Sequence, residues 1–416
     1  MTKYRNNHYV PVWYQERFFP TETRERKFFY LDMKPETIVV SNGRRYKRNS
    51  LLRWGPKSCF CQDDLYTTKF GPWLSTEIEE KFFGPLDASA RPALDYFANF
   101  THPSAEREHF LRLLPYMSIQ KLRTPKGLAY LSELTKQIDK NLVLLELQRL
   151  QKIFCAIWTE SVWSIADASQ AETKFLLSDH PVTVYNQGCF PASEWCRDYR
   201  DPDIWLTGTH TLFPLTLDRI LILTNLSWVR YPYGNPIKPR PNPNPFRAAM
   251  FNFTQIQTGR KLSNQEVLEI NYMIKARAYR YVAAAEKAWL YPEESVRSRW
   301  DIFGDNYLLM PDPRSVTFSS EIIIGYQDKR ADFFDAYGRK PWQSDYDSEA
   351  QRNEEWETFH AFQGEFARRF GPRRRGLCFE FHKLDDEQDS EDYHKYHLSL
   401  EQKHGKHRYK VRRNKR

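Results

Sequence analysis

Thr211-Leu212-Phe213-Pro214-Leu215-Thr216-Leu217-Asp218-Arg219-Ile220-Leu221-Ile222-Leu223-Thr224 is the stretch that decides the fold class. Two apolar runs, Thr211 to Leu215 and Arg219 to Thr224, flank Thr216-Leu217-Asp218, whose polar ends suit a turn between antiparallel strands. Working upstream, Val182 to Tyr185, Lys174 to Leu177 and Val162 to Ile165 read as further strands. Before them the pattern is helical. Helices are expected at 76–84, 87–100, 105–121 and from 125 to about 160. Ser75 or Thr76 is placed to cap the first, with Glu77, Glu79 and Glu80 suiting a helix N-terminus. Pro125 suits a first helical position. In the last of these helices Leu142, Leu145, Leu150, Ile153, Phe154 and Ile157 recur at three- and four-residue steps and are assigned to the core. Helices followed by strands, without β/α alternation, predict an α+β fold: a helical bundle region packed on a largely antiparallel sheet.

Other elements fill in around this centre. Asn6-Asn7-His8-Tyr9-Val10-Pro11 reads as a packed first strand carrying one titratable group, and Phe28 to Asp32 and Thr37 to Val40 as short strands before the Asn42-Gly43 turn. Six prolines between Tyr231 and Pro245 mark an extended loop. Ser263-Asn264-Gln265-Glu266 has capping-box spacing and predicts a helix from Asn264 to about Trp289. Its stripe is Val267, Ile270, Ile274, Ala278, Tyr281, Val282 and Ala285, with Asn271 inside it. A strand at Glu321 to Tyr326 and a helix from about Ser348 to Phe370 follow. The expected division is an α+β domain at 1–300, a C-terminal α/β extension at 301–382, and a disordered acidic-then-basic tail at 383–416.

Net charge is +9, and the tail after Glu401 carries eight Lys/Arg and no carboxylate, so the body is close to neutral. The tail, with Lys406, Arg408, Lys410, Arg412, Arg413, Lys415 and Arg416, suggests nucleic acid as a partner, by attraction to phosphate. The acidic run from Asp385 to Asp392 could instead pair with it within the chain. No apolar run is long enough for a membrane span, and no signal-peptide pattern opens the chain. The six Cys are sparse and irregular, which fits a reducing cytosol; their C-x-C and C-x6-C spacings match no usual zinc site, and no metal centre is expected. The late histidines His394 and His397 read as solvated.

Two places could carry chemistry. One is His8. The other is Ser178-Asp179-His180-Pro181-Val182, where an Asp at a strand end could orient an imidazole as a general base, or simply make a side-chain-to-backbone turn. Gln120-Lys121-Leu122-Arg123-Thr124-Pro125 joins two helices. Its Arg123 could fork onto a substrate anion, or pair with Asp179 or Glu79 to hold the fold. Asn271, if buried, must find hydrogen-bond partners. No phosphate loop, dinucleotide fingerprint, H-E-x-x-H or G-x-S-x-G is present.

Several of these stretches together resemble one family. His8-Tyr9-Val10-Pro11 with Arg17-Phe18, Glu77 to Glu80, Gln120 with Arg123-Thr124-Pro125, Ser178 to Val182, Phe213-Pro214-Leu215, and Asn271 with Arg280-Tyr281-Val282 occur in matching order. They are similar to the mainly bacterial domain of unknown function family 4238, over about residues 5–290. The resemblance implies a domain and a residue set, not a reaction. The family often has Asn where His180 stands, which shifts weight to Asp179. The enzyme reading collects His8 and Asp179 as catalytic groups with Gln120, Arg123 and Asn271 binding a phosphate-containing substrate, nucleic acid first. The other reading is a non-catalytic nucleic-acid-binding or interaction module with the same polar set buried as a network. Neither reading names a cofactor or an oligomeric state.

Overall fold

The computed structural model describes residues 6–22, 25–39, 44–101, 105–199, 201–240, 256–296, 300, 307–313, 316, 321–335, 340–343 and 349–370. Val40 and the Asn42-Gly43 turn, the prolines after residue 240, and the whole tail from 383, including Lys406 to Arg416, fall outside them.

Two sheets frame the molecule. The larger has the spatial order Thr183–Asn186, Thr209–Pro214, Arg219–Asn225, Ser161–Asp167, Gln257–Lys261. The first four strands are antiparallel and the last runs parallel to Ser161–Asp167. The expected hairpin is present: the Leu215 and Thr216 N–H groups donate to the Arg219 carbonyl at 2.8 and 3.2 Å. Thr209–Pro214 is buried at every position, which is why it reads as a continuous run rather than an alternating one. The second sheet is antiparallel, in the order Leu177–Ser178, Tyr281–Ala284, Phe28–Asp32, Leu51–Trp54. The N-terminal strand Asn6–His8 pairs with Cys61–Asp63. Helices Gly84–Ala98 and Arg107–Leu122 pack against each other and against the larger sheet, where Phe97 and Phe110 meet the Trp163 ring at 5.6 and 5.1 Å. One apolar core runs through both sheets and these helices. The fold is mixed α+β, with mostly antiparallel strands. Among the described residues no helix is long and apolar enough to cross a membrane.

Among the elements that differ from their sequence expectation, the helices expected at 76–84 and 87–100 run together as Ile78–Phe83 and Gly84–Ala98, and three others bear on the site. The helix expected from 125 to 160 is three pieces, Pro125–Thr135, Lys140–Arg149 and Cys155–Thr159. Lys136 turns left-handed (φ 55°) and ends the first, and the Asp139 side chain accepts the Leu142 N–H to start the second. The break rotates the face, so Leu142 and Leu145 are exposed while Val143, Leu144 and Leu147 are buried. The helix from Asn264 has its full capping box but stops at Arg277, and Tyr281–Ala284 is a strand. The Asp179 carboxylate takes the N–H groups of Tyr279, Arg280 and Tyr281, which a continuing helix would need for its own ladder. The strand expected at Lys174 to Leu177 is reduced to Leu177–Ser178, because the Leu176 N–H goes to the Asn271 side chain and the Phe175 N–H to the Leu217 carbonyl.

Toward the C-terminus, Glu321–Gly325 and Ala331–Asp335 form an antiparallel pair. The helix Glu349–Phe370 packs Phe359 with Val162 and Val229, and Phe362 and Phe366 with Trp228 and Met310.

Candidate functional site

The residues singled out from sequence are placed in separate hydrogen-bonded assemblies. His8 is half-buried, with Nε2 3.1 Å from the Lys57 carbonyl; burial lowers its pKa and that carbonyl partly restores it. Arg123 is fully enclosed. It donates through Nε to Gln120 Oε1 at 2.8 Å, pairs with Asp87 at 3.0 Å, and lies beside the rings of Phe83 and Tyr116. Gln120 Nε2 donates to the Tyr9 carbonyl at 2.9 Å. Asn271 Oδ1 accepts from the Leu176 N–H at 3.1 Å and Nδ2 donates to the Lys174 carbonyl at 2.8 Å. Asp179 accepts three backbone N–H groups at 2.6–2.8 Å. Arg280 pairs with Asp32 at 2.7 Å, closing the junction between Asp179 and the second sheet. The described partners of these side chains are groups of the fold itself.

Their sequence neighbours line an open cavity of about 470 Å³, within the range of small-molecule sites. Its polar base is Lys121, Lys126, His180 and Asp201. Lys121 sits in the last turn of Arg107–Leu122 and Lys126 in the first turn of Pro125–Thr135. The two turns can approach because residue 127 is glycine: a Cβ there would lie 2.1 Å from the Lys121 carbonyl oxygen. Thr124 caps the second helix by accepting the Gly127 N–H at 3.1 Å, and the same hydroxyl lies 2.7 Å from His180 Nδ1.

Asp201 joins the set. Its Oδ1 accepts from Lys126 Nζ at 2.5 Å, its Oδ2 accepts from Lys121 Nζ, and Oδ2 lies 3.0 Å from His180 Nε2. Lys121 Nζ also approaches His180 Nε2 at 3.1 Å and the Val182 carbonyl at 3.4 Å, while Lys126 Nζ donates to the Arg277 carbonyl at 2.7 Å. Three acceptors around Lys121 are what a charged amine requires. Burial lowers the Lys121 pKa against the pull of Asp201. Burial, then the Lys121 charge, push His180 down to about 3, so its imidazole is neutral. Burial opposes ionisation of Asp201, but Lys121, Lys126 and His180 outweigh it and hold the carboxyl well below the usual range. Two ammonium groups therefore face one carboxylate, with a neutral imidazole between them.

The walls are largely aromatic, with Tyr130, Phe154, Trp195 and Tyr279, the Trp195 indole being partly exposed at 39%, and they also carry the carboxylates Glu133 and Asp203. Lys121 and His180 line the cavity, while their neighbours Gln120 and Asp179 are held in the hydrogen-bonded assemblies beside it. Lys121 and Lys126 carried a readable signal, two lysines bracketing a helix–helix junction. Asp201 carried none.

A family model described as "Protein of unknown function (DUF4238)" matches residues 6–288. The chain belongs to the DUF4238 family. Lys121, Lys126, His180, Asp201 and Tyr279 all lie inside the DUF4238 match, so the cavity is part of the family domain and not of the segment after it. No curated protein and no solved structure matches this DUF4238 chain.

Proposed function

We propose that the protein is an enzyme acting on a small phosphate-containing substrate in the Lys121–Lys126–His180–Asp201 cavity. The observation that carries this reading is the convergence of two ammonium groups, Lys121 and Lys126, on one pair of anionic oxygens at the buried base of the cavity, with the carboxylates Glu133 and Asp203 elsewhere on its lining. Two ammonium groups fixed side by side attract an anion more strongly where burial limits screening by water.

The chemistry this set supports is hydrolysis of a phosphate ester. His180 Nε2 takes a proton from the attacking water, the water oxygen bonds to phosphorus, and the ester P–O bond breaks. The leaving oxygen takes a proton from the Lys121 ammonium, whose pKa is already lowered by burial. A dianion at the base raises the basicity of His180, which is otherwise suppressed. The 3.1 Å separation of Lys121 Nζ and His180 Nε2 lets the proton return afterwards.

A panel of phosphate esters, followed by phosphate release and by thermal shift, tests the reading. Lys126→Met should abolish ligand-induced stabilisation. His180→Asn should keep most of the binding and lose turnover by roughly 10²–10⁴-fold. Esters that bind without being cleaved would leave a binding protein. Failure of all of them to bind would sink the proposal. The basic tail favours a second reading, nucleic-acid binding without catalysis. Deleting 402–416 should weaken nucleic-acid retention, with a steep salt dependence, and leave small-ester binding unchanged.

A further inference from the structure

Asp201 is received by its neighbours as a bound anion would be. Two ammonium donors on separate elements reach its two oxygens, Lys121 at a helix end and Lys126 at a helix start, and His180 Nε2, in the turn after Leu177–Ser178, lies 3.0 Å from one of them. Each of the three side chains has an anchor that does not involve Asp201, namely the Val182 carbonyl, the Arg277 carbonyl and the Thr124 hydroxyl. The receptor is therefore built into the body of the fold. Asp201 itself belongs to no helix or strand; it lies between the short helical turn Glu194–Tyr199 and the isolated bridge of Leu206 with Pro239. The same stretch supplies Trp195, Pro202, Asp203 and Ile204 to the cavity lining.

We propose that the Asp201 carboxylate is an internal stand-in for the phosphate of the ligand, and that binding displaces it. This rests on the reading that the cavity takes a phosphate compound, and adds how the site selects among anions. A carboxylate ligand exchanges one negative charge for another and must compete with Asp201 at the high effective concentration its tether gives it. A phosphate monoester carries close to two charges and three terminal oxygens. It matches both ammonium groups with an oxygen to spare. The site thus discriminates for dianions by offering a resident monoanion as competitor. The Trp195 indole reports occupancy, because it lines the same cavity as Asp201.

The experiment is titration of wild type, Asp201→Asn and Lys126→Met with phenyl phosphate and with benzoate near neutral pH, by calorimetry and Trp fluorescence. Wild type should bind phenyl phosphate and not benzoate. Asp201→Asn should bind phenyl phosphate at least about ten-fold more tightly, and should now accept benzoate. Lys126→Met should bind neither. Asp201→Asn with unchanged or weaker phenyl phosphate binding overturns the stand-in while leaving the phosphate cavity in place. No phenyl phosphate binding by wild type or by folded Asp201→Asn overturns the cavity reading itself. If Asp201→Asn does not fold alone, recovery of its native fluorescence in phosphate buffer but not in acetate supports the proposal. Failure in both buffers passes the decision to wild type, where benzoate binding as tight as phenyl phosphate overturns it.

Discussion

Asp179 and His180 are adjacent and do different things. The Asp179 carboxylate faces the Tyr279-Arg280-Tyr281 backbone, while the His180 ring faces the cavity. Gln120 and Lys121 divide in the same way, because successive helical residues point about 100° apart. The polar pattern was legible at these positions, but the face each side chain takes depends on what packs beside it. A structural test follows. Asp179→Asn replaces one acceptor oxygen by a donor that confronts backbone N–H groups. Losing one or two of these bonds, at roughly 1–3 kcal/mol each, should lower the melting temperature by several degrees in calorimetry. A variant with native stability would contradict the anchoring role.

At the scale of the element, the junction Leu122-Arg123-Thr124-Pro125 sets the cavity. Thr124 caps Pro125–Thr135 and also holds His180 Nδ1. Thr124→Ala should cost about 1 kcal/mol in stability from the cap alone. It should also shift the pH profile of turnover, since the imidazole loses the partner that fixes its orientation. Thr124→Ser should restore both, and a profile unchanged in Thr124→Ala would remove the hydroxyl from the positioning of His180. The helix overrun past Arg277 shows the limit of periodicity. Ala278, Tyr281, Val282 and Ala285 continue a helical stripe in the sequence, yet residues 281–284 pair with Phe28–Asp32 because a distant carboxylate claims the N–H groups at the break. Ser263 and Glu266 cap the same helix as their spacing required, since a capping box needs only residues three apart.

Across the whole molecule, the buried histidines set a pH dependence. His180 and His210 are both held down to about 3, chiefly by burial, against about 6.5 when unfolded. Between those values the unfolded chain binds protons that the folded chain does not, so each histidine lowers stability as pH falls through that window. The slope approaches about 1.4 kcal/mol per pH unit for each. Asp201 has the same sign over a lower window: its stabilisation is complete above the ordinary carboxylate range and is lost as pH falls from there toward its lowered folded value. Glu79, raised to about 7 mainly by burial, gains protons on folding and opposes the histidines above pH 4.5. The histidine contribution is therefore read as a difference. Denaturant unfolding at pH 7, 6 and 5 should show a shallower acid decline for His210→Asn than for wild type. Parallel curves would mean that His210 is solvated or charged in the folded state.

The α+β class, the central hairpin, the capped helix start at Asn264 and the family were legible in the order of the residues. Each is carried by residues within a turn or two of one another, or by motifs in a fixed order. The cavity exists only in three dimensions. Lys121, Lys126, His180 and Asp201 are separated by up to 80 positions and meet through a glycine-permitted helix contact and a strand-end turn. No local rule encodes that convergence, because burial and the direction of a side chain are fixed only once distant segments have packed.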